Sequence, residues 1–303
     1  MERERMLSVI KKTIPMGIVL SLVVAFAANC GASREVVYSK EFIPRLAKPT
    51  PIPAATKKLW DTRNEKANLE QALKDLTKIA NENPGDYDAM VMLCRGYYLL
   101  ADGHLFLEIN EKNASDIKRK QAENFDLGIK WCEKAMATNP AYHAKVAVAG
   151  AEPATAFNDI TLNELDAMYW RYANLAKWSR IEGLMTLLAN KSQFTATIDR
   201  VEKLNKNYFH GAVNRYRGGA NILSPSGNKA EGRKQLEASI KEAPNYFGTK
   251  VIYAEIGLRA EEDKAVKLLN EVINGNPNSI PEIAPEQMIE QRKAKKLLEE
   301  EFK

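Results

Sequence analysis

Ala265-Val266-Lys267-Leu268-Leu269-Asn270-Glu271-Val272-Ile273-Asn274-Gly275-Asn276-Pro277 carries a small residue, a larger apolar one four places on, another three after that, and a proline five beyond. Offsets of four and three bring side chains onto one face of a 3.6-residue helix, and the proline stops the helix just past that face. The same spacing recurs upstream. It reads Gly232, Leu236, Ser239, Pro244; then Gly128, Cys132, Ala135, Pro140; then Ala72, Leu76, Ile79, Pro84. A fifth, degenerate copy runs Phe194, Ile198, Val201 with Lys206 where proline is expected, and its Asn207-Tyr208-Phe209 echoes Asn245-Tyr246-Phe247. Each copy is the second half of a tetratricopeptide-type unit. The predicted fold class is therefore all-α, an irregular tetratricopeptide-like array of helical hairpins.

Pro244 and Pro277 are 33 residues apart, close to the unit length of about 34, whereas Pro84 and Pro140 are 56 apart and Pro140 and Lys206 are 66 apart. The early hairpins carry insertions, which in such arrays gather on one face, often the ligand-binding one.

Residues 1–29 read as an export signal. Arg3, Arg5, Lys11 and Lys12 precede the apolar run Ile18 to Ala28, and small residues lead to Cys30. About eleven apolar residues are too few to cross a bilayer, which needs about twenty. Ala27-Ala28-Asn29-Cys30 resembles a lipobox, with Asn29 where a small residue is usual and Ala27 where leucine is usual, so Cys30 is the expected lipidation site. The alternative is an ordinary cleaved signal with an incidental cysteine. Pro44, Pro49, Pro51 and Pro53 then crowd into ten residues, and 30–56 is expected to be a lipidated, extended, proline-rich tether holding a folded body, 57–303, away from the membrane. Gly31 lacks the inner-membrane retention signal of some bacteria, which points toward the outer membrane.

Removing 1–29 takes away four basic and two acidic residues, so the formal charge falls from +5 to +3. There is no basic face interleaved with aromatics to hold nucleic acid, and Lys118-Arg119-Lys120 reads as a solvated helix side. Cys132 fills an apolar slot of the repeat and Cys94 lies on the partner helix; an oxidising envelope permits a bridge, but spacing alone does not show that they meet.

Chemistry-bearing constellations are lacking. His104, His143 and His210 each stand alone, without the second histidine that a helical metal pair needs, so no metal or cofactor is expected. No nucleophile elbow or Cys/His frame appears, and an enzyme is not expected. Between Gly219 and Gly227 seven residues intervene, and Asn228 separates that glycine from Lys229, which breaks phosphate-loop spacing. The segment reads instead as a helix ending near Gly218-Gly219, a turn at 225–228, and a new helix from Lys229. Asn113-Ala114-Ser115 reads as a helix start with Ser115 as its cap. Aromatics are enriched: Tyr169, Trp170, Tyr172 and Trp178 sit on a helix predicted over 163–181, and Tyr208, Phe209, Tyr216, Tyr246, Phe247 and Tyr253 follow. They cannot share one narrow stripe, and they form either broad core or the wall of a cavity.

The export signal, the proline-rich segment, the irregular hairpins and above all the stretch Tyr208-Phe209-His210-Gly211-Ala212-Val213-Asn214-Arg215-Tyr216-Arg217-Gly218-Gly219, continuing through Pro225 to Ala230-Glu231-Gly232 and Leu236-Glu237, resemble the TatT family. These are T-components of tripartite ATP-independent periplasmic transporters. The resemblance spans about 60–280. It implies an all-helical envelope lipoprotein that is not an enzyme, a homo-oligomer with trimers as the family's form, and a pore or hydrophobic cavity in each protomer. It further implies docking to the transporter's solute-binding P-component and delivery of a small hydrophobic or organic-acid ligand. Arg215, Tyr216, Gly218, Gly219 and Pro225 would be the characteristic residues. Within that frame Arg215 is the candidate holder of a ligand carboxylate, with Tyr216, Trp170 and Tyr253 as wall residues; the alternative is an arginine that caps or pairs between helices. A scaffold using an open concave groove for outer-membrane or cell-wall assembly is the competing function, and a closed interior would separate the two.

Overall fold

A computed structural model describes Ala32, Arg34 and residues 38–302. The signal 1–29 and Cys30 lie outside the described residues. The main helices are α1 (Ala54–Asp61), α2 (Lys66–Glu82), α3 (Tyr87–Tyr98), α4 (Ala114–Met136), α5 (Leu165–Glu182), α6 (Leu184–Ala189), α7 (Lys191–Asn205), α8 (Ala212–Leu223), α9 (Lys229–Glu242), α10 (Phe247–Ile252), α11 (Glu262–Ile273) and α12 (Ala284–Glu301). The described residues contain no strand, and the fold is an all-α helical array.

The repeat positions are its seams. Ala72, Leu76, Cys132, Ala135, Leu236, Ser239, Ala265, Leu269 and Val272 are fully buried, as α2 packs on α3, α4 on α3 and α5, α9 on α8, and α11 on α12. Truncating any of these leucines to alanine should cost about 2–5 kcal/mol, because a close-packed core cannot collapse into the space left. Cys94 on α3 and Cys132 on α4 are joined as a disulfide, with Cα atoms 5.4 Å apart.

The array does not stay open. The C-terminal helix α12 returns to the first hairpin: Glu286 accepts from Arg63 at 2.7 Å and from Arg95 at 2.8 Å, Lys293 reaches Asp102 at 2.8 Å, and Lys296 donates to the Ile109 carbonyl at 2.7 Å. Residues far apart in sequence thus close the helices around an interior.

Three local expectations change. Helix α8 does not end at Gly218-Gly219 but runs to Leu223, because Gly218 lets the backbones of α8 and α9 touch: a Cβ there would sit 2.8 Å from the Gly232 carbonyl oxygen. The turn holds, with the Gly227 N–H donating to the Ser224 carbonyl and the Asn228 side chain capping α9 through the Glu231 N–H. At the start of α4 the cap position is Asn113, so Ser115 lies inside the first turn with Asp116. Finally, residues 38–53 are not a free spacer. They strap along the body, with Leu46 N–H donating to the Gly85 carbonyl at 2.9 Å, Thr50 N–H to Asp86 at 2.7 Å, and the Tyr38 and Tyr142 hydroxyls 2.7 Å apart. An extended proline-rich chain leaves its amides and carbonyls unpaired, and the loop at Gly85–Asp86 offers partners for them.

Candidate functional site

Helix α5 is buried over most of its surface, with Tyr169, Trp170, Tyr172 and Trp178 all buried, and is entered through a capping box of Thr161 and Glu164. Facing it, α7, α8 and the residues after α10 leave a cavity of about 360 Å³, within the range of about 300–1,000 Å³ typical of small-molecule sites. Its wall is mostly apolar, built from Tyr172, Leu187, Phe194, Ile198, Ile252 and Ile256. A second cavity, about 40 Å³, lies deeper between α3, α5, α10 and α12. The two share a partition made of Tyr98, Arg215, Tyr216 and Ile252.

A π-helical segment stands in the wall of each cavity. Leu99–Leu105 follows α3 and brings Asp102 and Gly103 to the smaller one; Tyr253–Gly257 follows α10 and brings Glu255 and Ile256 to the larger one. A π turn inserts a residue into the helical period and re-aims the side chains after it, an arrangement frequent at functional sites, although a third such segment, Ala144–Val148, lines neither cavity.

Arg215 holds the partition. It is 2% exposed, and its Nη1 donates to the His210 carbonyl at 2.8 Å and Thr249 Oγ1 at 3.2 Å. Its Nη2 donates to Tyr169 Oη at 2.9 Å and the Phe209 carbonyl at 3.1 Å. The guanidinium also lies over the rings of Tyr246 at 4.7 Å and Tyr216 at 5.5 Å. No carboxylate among the described residues pairs with it, and Nε has no hydrogen-bond partner there. Burial raises the phenol pKa values of Tyr98, Tyr216 and Tyr246, so these rings stay neutral and supply dipoles and π faces only. An arginine cannot shed its proton at physiological pH, so the site carries an uncompensated positive charge.

The backbone that serves Arg215 is itself unusual. Phe209, His210 and Gly211 have φ of 40°, 55° and 75°, a left-handed run that only glycine adopts at little cost. The first two of these residues aim their carbonyls at the guanidinium. Local strain is thus coupled to cation placement.

Below the partition, Asp102 is bound by Lys177 at 2.5 Å and Lys293 at 2.8 Å. Burial works against the Asp102 charge, but the two ammonium groups outweigh it and hold its carboxyl below the usual carboxylate range. Glu290, 3.2 Å from Lys293, lines the same cavity with Oε2 buried and unpartnered; burial pushes its carboxyl up, with Lys293 offsetting only part.

The predicted residues distribute as follows. Arg215 and Tyr216 line both cavities, Trp170 lines the smaller one against Tyr98 and Phe209, and Gly219 lines the larger one. Gly218 is a helix-crossing contact and Pro225 an exposed turn residue. Tyr253 is not brought to either cavity: it packs in the α9–α11 core and donates its hydroxyl to Glu237 at 2.7 Å. Tyr98, Asp102 and Glu290 complete the site and had no signal in sequence beyond their residue type, whereas Phe194 was legible as a position of the degenerate repeat copy but not as cavity wall. The histidines are satisfied by packing and backbone. His104 Nε2 meets the Arg63 carbonyl at 3.0 Å, His143 Nε2 meets the Ser39 carbonyl at 2.9 Å, and His210 stacks on Tyr246. Among the described residues no group of side chains is arranged to hold a metal ion, and no helix is long and apolar enough to cross a membrane.

No curated protein matches the sequence. The family model described as TRAP transporter T-component matches residues 65–303, the span that contains every helix from α2 to α12 and both cavities, and the chain belongs to that family.

Proposed function

We propose that the chain is a lipid-anchored envelope protein, bound through Cys30, that holds a small organic acid in the larger cavity and exchanges it with the solute-binding P-component of a TRAP transporter. The single observation that carries this reading is a buried guanidinium with neutral partners only, at the inner end of a largely apolar cavity. A ligand carboxylate would supply the missing countercharge through charge-assisted hydrogen bonds, and its apolar part would displace water from Phe194, Ile198 and Ile256. Burying a charge without a partner is costly, so a site that tolerates it gains most when the partner arrives as ligand. An accessory transport role needs no catalytic constellation, consistent with the family. The return of α12 onto the first hairpin favours an enclosed interior over the open groove of a scaffold.

Two measurements test the reading. Calorimetric titration with straight-chain carboxylates and the matching alcohols should give binding to the acids only, and Arg215→Met should abolish it; equal binding of the alcohols would remove Arg215 from the role. Passing detergent extracts of native envelopes over immobilised protein should retain a TRAP-type solute-binding protein, identified by mass spectrometry. Recovery of cell-wall or outer-membrane assembly proteins in its place would move the scaffold reading to the front.

A further inference from the structure

The first described residue of the chain lies against α6. Ala32 donates its backbone N–H to Thr186 Oγ1 at 2.9 Å. Arg34 is then clamped by Asp126 at 2.6 Å and Glu133 at 3.2 Å, beside the Trp178 ring. Cys30 precedes Ala32 by two residues, so covalent geometry alone keeps their Cα atoms within about 7 Å.

Helix α6 is also where the body exposes large apolar side chains together. Leu184, Met185 and Leu188 are 52%, 56% and 41% exposed, while Thr186 on the opposite side is fully buried. Gly183, with φ of 108°, turns the chain sharply out of α5 so that α6 presents this face. Leu188 belongs at the same time to the wall of the larger cavity, where Leu223, 40% exposed, and the exposed Lys191 share its rim. Three adjacent features therefore coincide: the point of attachment, an apolar face and a cavity entrance.

We infer that the α6 face rests on the lipid bilayer, with the entrance of the larger cavity opening at the membrane surface. The inference rests on the proposed role of Cys30 as lipid carrier. An acyl chain on Cys30 would hold α6 against the bilayer, where Leu184, Met185 and Leu188 can enter the interface and Lys191 can meet anionic headgroups. The strap of residues 38–53 and the clamp on Arg34 remove the slack that would let the body swing away. The cavity would then exchange amphiphilic acids directly with the bilayer rather than with open solvent.

The experiment uses the mature lipidated chain in phosphatidylethanolamine/phosphatidylglycerol vesicles, with a nitroxide at Met185→Cys or, separately, Leu188→Cys. Leu162→Cys serves as control; Leu162 is exposed and precedes α5, whose 18 residues put about 27 Å between its ends. On vesicles the labels at 185 and 188 should become accessible to oxygen and shielded from a water-soluble nickel chelate, while the label at 162 stays aqueous. Vesicle-bound protein with aqueous labels at 185 and 188 overturns the inference and leaves the anchor intact. Spin–spin broadening without vesicles shows the face covered by a second copy and also overturns it. A chain that vesicles do not retain overturns this inference and the anchor together. A thermal melt of each labelled variant identifies misfolding, and the two positions serve as independent probes.

Discussion

Arg171 on α5 and Arg215 on α8 are equally buried, yet they are held in opposite ways. Arg171 donates through Nε to Glu133 at 3.0 Å and through Nη2 to Gln193 at 2.8 Å, and Glu133 also meets Arg34. Arg215 has two carbonyls, a threonine, a tyrosine and two aromatic faces, and no acid. A guanidinium paired with a carboxylate has its countercharge within the fold and is electrostatically complete, even though Glu133 Oε2 itself has no hydrogen-bond partner among the described residues; one surrounded by neutral dipoles beside a cavity lacks that countercharge. The comparison separates an arginine that holds the fold from one that waits for an anion, a distinction that burial alone cannot make.

Breaking the completed unit should have the largest effect. Glu133→Ala leaves Arg171 without its carboxylate and takes from Arg34 one of its two, and loss of one partner from a buried pair costs about 3–5 kcal/mol. Denaturant unfolding should show that loss. If Glu133→Ala costs under about 1 kcal/mol, the contrast between the two arginines collapses.

Arg215→Met should cost less stability, about 1–3 kcal/mol, because it deserts the Phe209 and His210 carbonyls but removes a buried charge at the same time. Its effect on ligand should be the greater one. If the variant unfolds as readily as Glu133→Ala while acid binding persists, Arg215 belongs with Arg171.

Adjacent glycines sharpen the same contrast on a smaller scale. Gly218→Ala drives a Cβ to 2.8 Å from the Gly232 carbonyl oxygen, an overpacking that should cost about 1–3 kcal/mol. Gly219→Ala meets nothing closer than Ile256 Cδ1 at 3.9 Å, and should stabilise α8 by up to about 1 kcal/mol through helix propensity. Equal effects at the two positions, read by thermal melts, would contradict the assignment of one to a helix crossing and the other to a cavity wall.

How much of this was legible depended on how local the physics was. The seams at Leu76, Cys132, Leu236 and Leu269 follow from offsets of three and four within one helix, so they could be read directly. Closure could not, since it rests on Asp102 with Lys293 and Arg63 with Glu286, 191 and 223 residues apart, and nothing in the sequence pairs one surface-type charge with another. Aromatic enrichment pointed to the right helices, but it could not separate Tyr253, which packs in the α9–α11 core, from the aromatics that line the cavities. Arg215 could be named from the resemblance alone; that all its partners are neutral is the absence of an acid, which no sequence pattern displays.

The smallest expected effect concerns Glu290, whose carboxyl burial pushes up with Lys293 offsetting only part. Its folded-state pKa stands above the unfolded value of about 4.3, so the folded chain binds this proton more tightly. Stability tied to the group is then complete below about pH 4.3 and falls as pH rises through the folded value. Glu290→Gln, neutral at every pH, should raise the melting temperature at pH 7.5 relative to the native chain, and the gain should shrink toward pH 4. A gain that grew toward acid, or a loss at pH 7.5, would mean that an ionised Glu290 is a paired countercharge to Lys293. The smaller cavity would then be a completed ionic unit like that of Arg171, and the unfinished charge of the interior would reside on Arg215 alone.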